Sequence, residues 1–122
     1  MKINKPNYIL NQYQFENYKD DFKYKLSCPG IYVYKYDDVC LYVGATQSLW
    51  CRAFRIFQNG RIISPLLQYI IKIIKLKNIE VECYFCQYRA LAIREAYFYN
   101  KLKPISQIIY RHKFYETAEK KK

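Results

Sequence analysis

Glu95 stands where a carboxylate is least expected. Leu91, Phe98 and Leu102 mark an apolar stripe at i, i+7 and i+11 of a helical segment, and Glu95 occupies i+4 on that stripe. An ionised, unpaired carboxylate facing a core costs roughly several kcal/mol. It must therefore be paired with a buried arginine, protonated, or bound to a cation. A second candidate is basic: Ser48, Arg52, Arg55 and Asn59 fall at i, i+4, i+7 and i+11 on one side of another helical segment. Taken alone, Arg52 is either part of a solvated basic face or a planar fork for an anion. Cys83 and Cys86 have metal-ligand spacing, yet they lie on an alternating strand where residues three apart point to opposite faces. With no second Cys or His pair, a tetrahedral zinc site is not supported.

These side chains need a scaffold, and the periodicities supply one. Phe15, Tyr18, Phe22 and Leu26 predict an amphipathic helix over 12–26, ended by Pro29-Gly30. Two β-branched and aromatic runs, 31–36 and 39–43, flank Asp37-Asp38 and predict a hairpin whose second strand is closed by Gly44. A helix follows from Gln47, with Leu49, Trp50, Ala53, Phe54 and Phe57 on its apolar side and Asn59-Gly60 as its stop. Ser64-Pro65 reads as a cap with proline at the first helical position, opening a helix to about Lys77 whose Leu66, Leu67, Ile70, Ile71 and Ile74 face inward. Residues 79–85 alternate at period two as a third strand, and a last helix runs from about Ala90 to Leu102 before Pro104.

Length and charge narrow the partners. A chain of 122 residues holds one domain, so any chemistry must sit beside whatever binds the substrate. With 52% hydrophobic residues it can bury a core, which excludes a disordered chain. The formal charge of +11 is uneven: residues 1–50 carry 6 basic against 5 acidic groups, and residues 51–122 carry 15 against 5. The second half is thus suited to a polyanion such as nucleic acid, or to an anionic membrane surface. AT-rich coding bias would also enrich Lys, Ile, Asn and Tyr. The most apolar stretch, Ile62 to Leu76, is interrupted by Lys72 and Lys75, short of the ~18 residues of a membrane span. Residues 1–11 are too polar for a signal peptide, and five cysteines lack the density of a disulfide scaffold. An intracellular protein of cytoplasm, nucleus or nucleoid is expected, neither secreted nor membrane-bound.

Gly30-Ile31-Tyr32 and, ten residues after Tyr32, Tyr42-Val43-Gly44 resemble the paired motifs of the GIY-YIG nuclease family, the second with Val for Ile. Eight residues after Gly44 stands Arg52, where that family carries an arginine on its first helix. Glu95 matches the family's metal-binding glutamate, and Pro104 follows nine residues later. The resemblance spans about residues 28 to 107, or 80 of 122. It implies a small α/β (α+β) domain at 29–107, in which a three-stranded antiparallel sheet is flanked by helices. A helical extension at 1–28 precedes that domain, and a basic tail at 108–122 follows it.

The activity the resemblance implies is an endonuclease dependent on Mg²⁺ or Mn²⁺ that hydrolyses DNA phosphodiester bonds, duplex or branched, one strand per site. Glu95 would hold the cation and Arg52 the phosphate oxygens, with Tyr32 as general base and Tyr42 orienting water or phosphate. Gly44, Arg55, Arg61, Lys101 and Lys103 would contact nucleic acid, while Gly30 and Gln107 complete the structural motif. Two departures stand out: Ile56 occupies a position where many members carry His or Tyr, and Gln107 replaces the usual Asn. The only histidine, His112, lies in the tail. A binding or interaction module without catalysis on the same fold is the alternative. A homodimer, or a partner protein that gives specificity, would serve a double-strand break or target choice.

Overall fold

The computed structural model describes residues 3–59 and 64–107. A short strand, β1 (Tyr8–Leu10), comes first, and its three residues are too few to show a period in sequence. The expected helix over 12–26 is two helices, α1 (Gln12–Asn17) and α2 (Lys19–Lys25), broken at Tyr18. Asn11 caps α1 through a reciprocal pair of hydrogen bonds with Gln14, both 2.9 Å. The motif hairpin follows as β2 (Gly30–Tyr36) and β3 (Val39–Thr46), with Asp37 of the two-residue turn at φ 52°, a conformation Asp tolerates. Gly44 does not close β3, which continues to Thr46.

The helix expected from Gln47 is likewise divided into α3 (Leu49–Ala53), capped by Ser48, and α4 (Arg55–Asn59). Helix α5 (Pro65–Ile74) has the expected Ser64 cap, whose hydroxyl accepts the Leu67 amide at 3.2 Å. Leu67 is fully buried and Ile70, Ile71 and Ile74 pack on the core, whereas Leu66 does not face inward but is exposed beside the first-turn proline. Strand β4 (Glu80–Phe85) and helix α6 (Leu91–Leu102) complete the architecture, α6 ending on left-handed Lys103 before Pro104.

The sheet has four antiparallel strands in the order β1-β4-β2-β3, one more than the three expected, because β1 adds to the free side of β4. Helices cover both faces. On one side Phe15 of α1 stacks between Trp50, Phe54 and Phe57, with ring centroids 5.3 to 6.0 Å apart, so α1 and the α3–α4 pair share one core with Tyr32, Tyr34 and Leu41. On the other, Phe98 of α6 packs edge-on against Tyr84 at 4.6 Å, over Ile31, Val33, Cys40 and Val43. Strand β3 is therefore an edge strand with helices on both sides, which is what positions the candidate site. No helix among the described residues is long and apolar enough to cross a membrane.

Candidate active site

Register sets the first part of the site. Tyr34 pairs with Tyr42 and Tyr32 with Gly44, so three tyrosines share one face of the hairpin. Their ring centroids form a near-equilateral triangle: Tyr32–Tyr34 5.5 Å, Tyr34–Tyr42 5.7 Å and Tyr32–Tyr42 6.0 Å. A bulge between Tyr34 and Lys35 lets Leu41 and Tyr42 both reach this side. Gly44 is required beneath the cluster, because a Cβ there would strike Tyr32 at Cζ and Oη and lie 2.7 Å from Cε1. Gly30 is tight as well: a Cβ would meet the Tyr84 carbonyl oxygen and lie 2.7 Å from Leu49 Cδ1.

Arg52, exposed on α3, and Tyr42 both face the Tyr32 hydroxyl, which is linked to each of them. Burial holds the Tyr32 phenol well above its usual range; neighbouring Tyr42 adds to this and Arg52 partly offsets it. Tyr42 is also raised, first by burial, with the Tyr32 hydrogen bond pulling it down and Glu95 pushing it up. Both are therefore neutral hydroxyls at neutral pH in the free protein.

Glu95 arrives from α6, on the opposite side of the sheet, and reaches the edge of β3, where the Ala45 backbone amide donates to its carboxylate. Burial raises the Glu95 carboxyl above the ordinary range, and the Ala45 hydrogen bond offsets only part of that. The half-buried carboxylate that the helical stripe marks as anomalous thus lies within electrostatic reach of Tyr42, at the strand edge. Among the described residues no three His, Cys, Asp or Glu side chains converge. With no such cluster among the described residues, a cation at Glu95 would complete its shell largely with water or substrate oxygens, a donor set that suits Mg²⁺, which keeps several waters.

Comparison with solved structures bears on this arrangement. The GIY-YIG N-terminal endonuclease domain of UvrC from Thermotoga maritima, bound to magnesium as its catalytic divalent cation, is similar over 75% of this chain and 96% of that one, with 23% identity and a TM-score of 0.54. A tyrosine-to-phenylalanine variant of that domain, also bound to its cation, is 24% identical over 75% and 94% of the two chains at TM-score 0.54. The fold is that of a GIY-YIG nuclease domain. No protein-family model and no curated protein sequence matches the chain.

Within the GIY-YIG fold the two motifs lie side by side on the β2–β3 hairpin at the sheet edge, where Tyr32 interacts with Arg52 and Tyr42, and Tyr42 in turn with Glu95. Arg55, at the start of α4, is exposed one helix away from Arg52. Lys101 and Lys103 are exposed but lie at the far end of α6, about 9–12 Å along the axis from Glu95, so they are not gathered with it. Arg61 and the lysine tail lie outside the described residues, as does the side chain of Gln107. Ile56 is 1% exposed and belongs to the core shared with Tyr32 and Tyr34, so no proton-transfer group stands there.

Sequence reasoning missed Tyr34. Its hydroxyl donates to the Ala53 carbonyl at 2.7 Å in a buried setting. In a continuous helix that carbonyl would accept from Phe57, but the Phe57 amide bonds Phe54 instead, at 3.0 Å. Tyr34 thus fills the break between α3 and α4 and ties the residue after Arg52 to the tyrosine hairpin. The only sequence signal is its place two residues after Tyr32 on the same strand face.

Proposed function

We propose that the protein is a divalent-metal-dependent endonuclease that hydrolyses DNA phosphodiester bonds, one strand per site. One observation carries this reading: a guanidinium, two linked phenol hydroxyls and a half-buried carboxylate are brought together at one sheet edge. A bound divalent cation would supply Lewis-acid charge for the scissile phosphate and would favour the ionised form of Glu95 and of nearby hydroxyls.

The chain's own residues have definable tasks. Arg52 grips non-bridging phosphate oxygens and opposes the charge that develops as water attacks phosphorus and the bond to the leaving oxygen breaks. Tyr32, held neutral by burial and set between Arg52 and Tyr42, orients the attacking water; positive charge nearby that lowers its pKa releases its own proton to solvent, and the phenolate left behind can take the proton of the water. Tyr42, linked to Tyr32 and within electrostatic reach of Glu95, orients the water or the phosphate. Glu95 anchors the cation while the Ala45 amide fixes its orientation.

The test is nicking of supercoiled DNA with Mg²⁺ or Mn²⁺ and with chelator, wild type beside Glu95→Gln. Wild type nicks only with metal, and Glu95→Gln loses at least ~10²-fold, the scale of losing a key electrostatic group. Equal cleavage by both refutes the site. The burial of Ile56 favours a second reading, a module that binds nucleic acid without cutting it. That reading expects tight, salt-sensitive DNA binding and no cleavage under any metal.

A further inference from the structure

The other flank of α6 closes a small cavity of about 60 Å³, between the arm preceding β1 and the ends of β2 and β4. We propose that it is a phosphate subsite, taking a backbone phosphate of the same strand that the Glu95 site engages; this rests on the nuclease reading. Its polar lining includes two cations, Lys5 and Arg94, and two amides, Asn4 and Asn7, with no carboxylate among the lining residues. Ile31 and Phe98, both buried, make an apolar floor. Cations grouped over a low-dielectric floor focus a positive potential into the cavity.

The arm is pinned before any ligand arrives. The Asn7 amide donates to the Cys83 carbonyl at 2.8 Å, and Asn7 Oδ1 accepts the Phe85 amide at 2.8 Å. With that oxygen engaged, the Asn7 side chain offers its NH₂ donors, beside the ammonium of Lys5 and the guanidinium of Arg94. A donor-rich, cationic lining complements an oxyanion that only accepts. The volume exceeds the ~10–15 Å³ needed by one water and suits one small tetrahedral anion. Arg94 directly precedes Glu95, so the two side chains leave α6 about 100° apart on one turn, and a strand crossing that turn meets both.

The experiment titrates metal-free protein with inorganic phosphate and follows backbone amide chemical shifts. Saturable shifts are expected at Asn7, Cys86 and Arg94, with affinity falling about tenfold in Lys5→Gln and in Arg94→Gln, as when one charge-assisted hydrogen bond is lost. Lys5 is exposed, so Lys5→Gln tests the cavity even if Arg94→Gln misfolds. A short duplex should move the same resonances, and Lys5→Gln should reduce the slope of binding against salt by about one ion. Absence of phosphate shifts, or shifts that Lys5→Gln leaves intact, overturns the subsite. Phosphate binding without any response to the duplex assigns the cavity to free phosphate and overturns the strand assignment. Because the titration needs no cleavage, it succeeds or fails separately from the nuclease reading.

Discussion

Replacing Tyr34 by Phe removes one hydroxyl and leaves the ring in place. The lost bond is the 2.7 Å donation to the Ala53 carbonyl, and Ala53 is 0% exposed, so water cannot take over the freed acceptor without structural change. Stranding a buried acceptor costs ~1–3 kcal/mol, more than the ~0.5–1.5 kcal/mol of an ordinary exchanged hydrogen bond. For a domain of this size each kcal/mol lowers the melting midpoint by ~4–8 °C, so Tyr34→Phe should melt at least ~4 °C below wild type. A catalytic effect beyond stability is also expected, because Arg52 precedes the carbonyl that Tyr34 holds and its placement over Tyr32 loosens. Assayed well below both midpoints, where each protein is folded, nicking by Tyr34→Phe should fall ~10-fold or more, as reacting groups shift by a fraction of an ångström. Calorimetry and nicking kinetics read the two effects separately. Lower stability with undiminished nicking would refute the argument that Tyr34 positions Arg52, and unchanged stability would refute the buried bond itself.

Three other perturbations act on different parts of the chain. Gly44→Ala drives a methyl group into the Tyr32 ring, which is boxed in by Tyr34 and Tyr42, so urea denaturation should show a loss of ~1–3 kcal/mol together with lost nicking. Arg52→Lys keeps the charge but not the planar fork; nicking should drop well over tenfold while DNA binding, read by anisotropy, changes little. Burial pushes the Cys83 thiol from 9.0 to about 12, with Cys28 and Glu82 adding to the shift, so the unfolded chain ionises first as pH rises. Stability is then fully present below pH 9 and is lost progressively toward pH 12, at ~1.4 kcal/mol per pH unit from this group; urea midpoints that fall less steeply in Cys83→Ala would show its share.

The parts legible in sequence are those fixed by local periodicity. The hairpin, β4 and α6 follow from alternation and from the helical stripe, and Glu95 announces itself by breaking that stripe. What was hidden depends on partners far along the chain. Strand β1 exists because Tyr8–Leu10 pairs with Val81–Cys83, a contact that three residues cannot advertise. The helix from Gln47 breaks after Ala53, where the carbonyl is captured by a tyrosine nineteen residues earlier. Leu66 fits the inward pattern of α5, yet the first turn after Pro65 leaves it at the surface. Tyr34 is one of 15 tyrosines, and nothing local separates it from a packing residue.

The place of the site follows from the problem that β3 poses. As an edge strand of eight residues it presents backbone groups that another chain could pair with. Two of those groups are occupied by side chains from the C-terminal part of the chain: the Ala45 amide by Glu95, and the Leu41 carbonyl by the buried hydroxyl of Ser106. The same two bonds fasten α6 and the turn beyond it to the hairpin that carries Tyr32 and Tyr42. Protection of the edge and assembly of the site are one arrangement, and its cost falls on Glu95, whose burial one backbone amide does not fully offset. A divalent cation held there would restore the charge balance that the fold leaves incomplete, so metal binding should stabilise the native state as well as enable cleavage. A melting midpoint that rises with Mg²⁺ in wild type and not in Glu95→Gln is the expected signature, and an equal rise in both would place the cation elsewhere.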